Sequence, residues 1–327
     1  MGILSGMRVV EGSAFVAIPL AGMTLAQMGA EVIRFDRLEG GLDAGRWPVT
    51  AEGRSLFWAG LNKGKKSVAV NMKSEEGREI VTRIVTAPGE EAGLFLTNLR
   101  VRGWMDHETL AQARPDLVMV TLLGDRHGSP AVDYSVNPAL GFPMATGPEG
   151  SEEPVAHVLP AWDCIAGNLA VSSLLAAERH RLRTGEGQEV VLALKDVAAA
   201  MLGHLGIVGE VLVNGVDRPK CGNALYGAYG QDFVLADGAR VMVIGLTDRQ
   251  WRGIVKMTGT GEAMGALASA SGMELSDEGN RFRLRGEITA ILAPWFAART
   301  LAQAAPEMDA AGLTWSEFRS FARAVRE

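Results

Sequence analysis

The chain has 327 residues, enough for one large domain or two ordinary ones, and its 47% hydrophobic and 21% charged content excludes wholesale disorder. A net charge of −6 argues against general nucleic-acid binding, which needs a basic face. Two cysteines, Cys164 and Cys221, provide no disulfide framework and no metal knuckle, so a reducing cytoplasm is the simplest setting.

The first half alternates strand and helix signals. "MRVVE" predicts a strand over Arg8–Glu11, and Leu20–Gly29 predicts a helix. Strand Glu31–Asp36 follows, then strand Ser67–Asn71, helix Glu75–Thr86, strand Gly93–Thr97, helix His107–Ala113 and strand Asp116–Leu122. Gly12 to Ala30 carries no charge, but Pro19, several glycines and the flanking strands make it a buried strand–loop–helix unit rather than a membrane span. There is also no secretory signal pattern. The strands are apolar runs, not alternations, as in a parallel sheet covered on both faces. The fold class is therefore α/β, with a large open parallel sheet of Rossmann-like type.

After the surface loop "TGPEGSEEP", the stretch "HVLPAWD" leads into a helix from about Cys164 to His180, then a strand "EVVLAL" and a long helix over Lys195–Val213. From Asn214 the texture changes. "DRPKCGNALYGAYGQDF" is irregular, "FVLADGARVMVIG" is a hairpin turning at Asp237–Gly238, and helices are expected at Asp248–Met257, Arg285–Ala297 and Trp315–Val325. The expected division is a large α/β domain over 1–213 and a smaller α+β domain over 214–327.

Common catalytic motifs are absent. "GLNKGKKS" misses the phosphate-loop spacing, and Lys63, Lys65 and Lys66 fit either a phosphate or a solvated turn. No GxGxxG follows the first strand, no HExxH exists to hold zinc, and no GxSxG supplies a serine nucleophile. What remains is Asp163, between the apolar "LPAW" and a helix rich in small residues. A carboxylate at a helix start is a cap, a base or a nucleophile, and its position alone favours the cap.

The pieces "GMRVVEGSAFVAIPLAGMTLAQMGAEVIRFDR", "LNKGKKSVAVNMKSEEG", "LFLTN", "VDYSVNPALG" and "DCIAGNLAVSSLLAAERHRLRTGEGQEV" resemble the class III CoA-transferases, the formyl-CoA and carnitine-CoA transferase family. The resemblance covers almost all of the first 213 residues. It implies that Asp163 is the nucleophile, supported by the helix start, and passes through an aspartyl anhydride and an aspartyl-CoA thioester. Coenzyme A enters only as the transferred group of an acyl-CoA substrate; no metal or other cofactor is implied. Val16 falls where the family has a glutamine, so any oxyanion donor there is its backbone N–H. Arg37, Val70, Lys73, Asn98 and Leu99 match CoA-contacting positions. In the shortened stretch "NLRVRGWMDHETL", Arg102 is taken over Arg100 for the phosphate-binding arginine. Asn223, Tyr226 and Tyr229 of "KCGNALYGAYG", with His157 and Arg46, are the substrate-binding candidates.

"GSAFVAIPL", "FWAGLNKGK", "HVLPAWD" and "GNALYGAYGQDF" look most like the branch that moves CoA between the two carboxyls of one C-methylated unsaturated diacid. Transfer from an acyl-CoA to a separate acid stays open. So does an inactive CoA-binding fragment, because the family's C-terminal return segment is missing after "SFARAVRE". A complete fold implies an interlocked homodimer, with no membrane or nucleic-acid partner.

Overall fold

The structure is a computed structural model that describes residues 2–327. In chain order the elements are β1 (Arg8–Gly12), α1 (Ala17–Gln27), β2 (Glu31–Asp36), α2 (Leu56–Leu61), β3 (Lys66–Ala69), α3 (Glu75–Val85), β4 (Leu94–Thr97) and α4 (His107–Ala113). Then come β5 (Val118–Leu123), α5 (Asp133–Ala139), α6 (Phe142–Ala145), α7 (Ala161–Thr184), β6 (Gln188–Ala193), α8 (Leu194–His204) and α9 (Ile207–Asn214). The rest is β7 (Tyr229–Val234), β8 (Arg240–Gly245), α10 (Asp248–Thr258), α11 (Gly261–Ser271), α12 (Glu278–Arg283), α13 (Arg285–Ala297), α14 (Leu301–Ala310), β9 (Thr314–Glu317) and α15 (Phe321–Arg326). The chain forms two compact units: Met1–Pro143 with Ala156–Arg218, and Met144–Val155 with Pro219–Glu327.

The first unit holds a six-stranded parallel sheet in the order β3-β2-β1-β4-β5-β6. Successive strand residues point to opposite faces, and both faces are apolar. Val9, Leu94, Leu96, Val118 and Val120 pack on one side with α1, α7 and α8. Val10, Phe35, Phe95 and Met119 pack on the other with Val81 and Val85 of α3 and Leu110 of α4. That two-sided burial is why the strands read as continuous apolar runs. Helix starts follow local capping chemistry: Ser74 accepts from Gly77 N–H to open α3, and Asp106 accepts from Thr109 N–H to open α4.

The helix expected over Lys195–Val213 is two helices. Gly206, at φ +75°, adopts the left-handed conformation between α8 and α9, which bend by 60°. Among the described residues no single helix is long and apolar enough to cross a membrane; α8 and α9 meet that test only as a bent pair.

In the second unit β7, β8 and β9 form an antiparallel sheet. Gly238 takes φ +80° in the β7–β8 turn, as the Asp-Gly pair requires. Phe233, Val241 and Val243 pack with Trp251, Ile288, Leu292 and Phe296. The helix expected over Trp315–Val325 is replaced by β9, where Trp315 pairs with Val243, followed by the short α15. The alternation in "TWSEF", with Trp315 against the core, carried the strand signal.

Candidate active site

Strand order reverses at β1, whose neighbours are β2 and β4. In such sheets a crevice forms outside the carboxyl ends of the strands at that point. A cleft of about 900 Å³ lies there, lined by Ser13 after β1, Asp36 and Arg37 at the end of β2, Val70 to Lys73 after β3, and Asn98 to Val101 after β4. Arg37, Lys73, Arg78 and Arg100 bring positive charge to it, while Val70, Leu99 and Trp104 supply apolar wall. Among the described residues, Arg37, Lys73 and Arg100 make no ion pair with a carboxylate. Cations left in this state beside an apolar wall suit a ligand with phosphates at one end and an uncharged chain.

Five residues expected to contact CoA, Arg37, Val70, Lys73, Asn98 and Leu99, thus line one cleft. Arg102 does not. It borders a separate depression with Asp106, His107 and Glu189, because the chain turns at Gly103, whose N–H is held by Asp106 Oδ2 at 2.6 Å. The cation on the cleft from this stretch is Arg100. Arg78 and Trp104 also line it and were missed; no motif in the sequence marks them.

Behind the cleft floor lies a buried ionic network. Arg34 is 1% exposed in the middle of β2. Its Nε and Nη2 donate to Asp36 Oδ2 and Oδ1 at 2.8 and 2.9 Å, and Nη1 donates to Asn62 Oδ1 at 3.0 Å. It also reaches Glu11 and Asp43 and donates to the Ser13 carbonyl. Lys65 Nζ joins the group through Glu11. Burial pushes the Glu11 carboxyl up and the Lys65 ammonium down, and each offsets the other's penalty as an ion partner.

This network sets the β1–α1 loop. Asp43 Oδ2 accepts from Phe15 N–H at 2.8 Å. Asn98 brackets Ala14, donating to its carbonyl at 2.9 Å and accepting from its N–H at 3.0 Å. Phe15 sits between these two anchors at φ +68°, a left-handed conformation that a non-glycine residue adopts only under outside restraint. Asn98 therefore positions the loop as well as lining the cleft. Val16 is buried directly before α1, whose start no side chain caps.

Asp163 lies on α7. The expected cap is displaced: α7 begins at Ala161, so Asp163 falls within the first turn. The capping group is Asp133, 1% exposed at the start of α5. Its Oδ2 accepts from Trp162 N–H at 2.8 Å and Asp163 N–H at 3.2 Å. Burial, and then the Asp133 charge, push the Asp163 carboxyl up to about 6, while Arg46 works in the opposite direction. The helix start was expected to support this carboxylate, but Asp133 rather than Asp163 takes its N–H groups. Sequence reading missed Asp133, although it stands in "VDYSVNPALG".

Two weaker substrate candidates gather here. Arg46 lies over the rings of Phe15 and Phe57, at 5.7 and 5.1 Å to their centroids, near enough to act on Asp163. His157 Nε2 lies 3.4 Å from Asp133 Oδ1, and its ring lies against Trp162. One turn beyond Asp163, a Cβ on Gly167 would stand 2.6 Å from the Ala17 carbonyl oxygen. The missing side chain thus lets α7, one turn beyond Asp163, press against the start of α1. Gly167→Ala is expected to lose about 1–3 kcal/mol in denaturant unfolding and to lower kcat, since backbone must move.

In the second unit, Asn223 is exposed and Tyr226 packs edge-on against Phe282 at 5.1 Å. Tyr229 differs from its expected substrate role. Its ring is fully buried against Trp251, and its hydroxyl meets Thr289 Oγ1 at 3.0 Å, so it serves that unit's core.

Comparison with known proteins agrees with this arrangement. The family model described as CoA-transferase family III matches residues 4–327. The 2-methylfumaryl-CoA isomerase of Chloroflexus aurantiacus is 55% identical over 327 residues, covering 100% of this chain and 80% of that protein. The succinyl-CoA:mesaconate CoA-transferase of Haloarcula marismortui is 29% identical over 318 residues, covering 91% of this chain and 76% of that protein. The crystal structure of a CAIB/BAIF family protein from Brucella suis superposes with a TM-score of 0.80 at 26% identity, covering 100% of this chain and 86% of the other. The aspartate on its helix, the cationic cleft at the reversal point and the family match over nearly all residues lead to one assignment: the chain belongs to CoA-transferase family III.

Proposed function

We propose that the protein is a 2-methylfumaryl-CoA isomerase, moving CoA between the two carboxyls of 2-methylfumaryl-CoA (mesaconyl-CoA). Support comes from the 55% identity over the whole chain. The observation in the fold that carries the chemistry is Asp163, a partly buried carboxylate with raised basicity. A stronger base is a stronger nucleophile, and at neutral pH most of it is ionised.

In the proposed sequence an Asp163 carboxylate oxygen attacks the thioester carbonyl carbon. The C–S bond breaks and CoA leaves as thiolate, giving a mixed anhydride. The thiolate attacks Cγ of Asp163, the anhydride C–O bond breaks, and the diacid leaves as a dicarboxylate. Its other carboxylate then attacks Cγ of the aspartyl thioester, CoA leaves again as thiolate, and the thiolate attacks the newly activated substrate carbonyl. Asp163 returns as a carboxylate, and no net proton is transferred. The uncapped start of α1 at Val16 supplies N–H donors for the oxyanions. Arg37, Lys73 and Arg100 meet the phosphates of CoA, with Val70 and Leu99 along the path. Holding CoA in the cleft while the diacid turns makes the second transfer unimolecular. The working species is proposed to be a cytoplasmic homodimer.

Arg46 has no carboxylate partner among the described residues and is oriented by two rings, so it is assigned the substrate carboxylate that is not reacting. Arg46→Gln is expected to raise KM for mesaconyl-CoA about tenfold or more, while the Kd of free CoA changes less than about twofold. The mechanism itself is tested by trapping: borohydride or hydroxylamine added during turnover should modify Asp163, read by peptide mass spectrometry. Turnover with no label on Asp163 would reject the covalent route.

A further inference from the structure

Two carboxylates meet at the start of α7, and only one of them uses the helix. Asp133 comes from a different helix and holds the N–H groups of Trp162 and Asp163. Among the described residues, no donor reaches the carboxylate of Asp163 itself. An aspartate in the first turn of a helix normally gains from those N–H groups and from the helix dipole. Here a neighbour has claimed them.

We propose that Asp133 is a positioning residue that occupies the helix start in place of Asp163, so that the nucleophile is left free of hydrogen bonds and beside a like charge. The proposal rests on Asp163 being the nucleophile. Its physical basis is the charge change during acylation. When Asp163 attacks a carbonyl, its negative charge passes to the leaving thiolate, and the acylated side chain is neutral. Burial and the nearby Asp133 charge both disfavour the ionised side chain and leave the neutral acyl form untouched. Both therefore make acylation easier. Had Asp163 bonded the helix start, those bonds would have to break before attack.

The charged groups acting on Asp163 are named by the geometry. Asp133 on α5 opposes its ionisation, and Arg46 from the loop after β2 favours it. His157 stands against Asp133 from the other side. Cys164, the next residue on α7, has its thiol pushed up by burial and by both aspartates, so it adds no charge at neutral pH.

Asp133→Asn separates charge from capping, because the amide oxygen still accepts from both N–H groups. The test is a 13C NMR titration of the Asp163 carboxyl carbon in the full-length protein, assigned with Asp163→Asn. The native midpoint is expected at about 6. In Asp133→Asn it should fall by about one unit, the acid limb of kcat/KM should move with it, and kcat at pH 8 should drop about threefold or more. KM should hold within about twofold. An unchanged Asp163 midpoint in Asp133→Asn would overturn the proposal. Should that variant not fold, Asp133→Ser keeps a neutral cap and must show the same fall. His157→Gln removes a partner from Asp133 and must not lower the midpoint; a fall there also counts against it. A failure of the nucleophile assignment appears elsewhere, as activity retained by Asp163→Asn, and does not alter the titration.

Discussion

Asp163→Asn is expected to abolish isomerisation, by more than about a thousandfold in kcat, and to make the protein more stable. The two effects share one cause. The folded-state pKa of about 6 lies above the ordinary aspartate value of 3.8. Ionising Asp163 in the folded chain is therefore harder than in the unfolded chain. The penalty is absent below the unfolded value, grows between about 4 and 6, and is complete above 6. The amide never ionises and escapes it. At pH 7 the variant should gain about 1–3 kcal/mol, and near pH 4 the gain should vanish. Thermal unfolding of both proteins at the two pH values measures this. Equal stability at pH 7 would mean that the carboxylate is not held at a cost. Native activity should itself fall as pH drops through about 6, where Asp163 takes up a proton.

Arg34→Met is the second large effect, and it acts on the scaffold. Arg34 is 1% exposed and faces Glu11, Asp36 and Asp43. Methionine fills much of the space but leaves these buried carboxylates without their common partner; only Glu11 keeps Lys65. Removing one side of a buried ion pair costs about 3–5 kcal/mol, much more than an exposed pair is worth. The loss should reach the site as well. Asp43 restrains Phe15 N–H, and Arg34 donates to the Ser13 carbonyl, so two restraints on the strained loop come from the network, while the Asn98 anchor on Ala14 stands apart from it. Urea unfolding should show the lost stability, and CoA affinity should fall in the fraction that stays folded. A loss below about 1 kcal/mol would show that the network does not hold the loop.

Much of this was legible in the residues, for identifiable reasons. The parallel sheet announced itself through runs such as "RVVE" and "LFLT", apolar on both faces because helices cover both. Glu11 and Arg34 stand inside such runs, and a charge within a buried strand is the signal of a buried network. The break at Gly206 was a glycine in an apolar helical pattern, whose left-handed conformation only the structure reveals. The helices α11 and α14 carry too little apolar periodicity to be read among alanine and polar residues. The site divided in the same way. Asp163 and the cleft residues after β2, β3 and β4 follow from local position at strand and helix ends. Asp133 was not readable as the cap, because it acts across 30 residues of sequence. Arg100 and Arg102 are two residues apart, and the turn at Gly103 decides which one meets the cleft. Tyr229 looked like a binding group because its loop is rich in glycine and tyrosine, yet strand pairing with Gly245 buries it.

The central claim is that CoA passes between the carboxyls of a single substrate molecule. The most direct measurement follows the two regioisomers of mesaconyl-CoA by chromatography and mass spectrometry, with excess deuterium-labelled free mesaconate in the medium. Intramolecular transfer predicts that the regioisomers reach equilibrium with almost no deuterium in either thioester. Label entering the thioesters as fast as they interconvert would contradict the claim and assign the protein to intermolecular transfer.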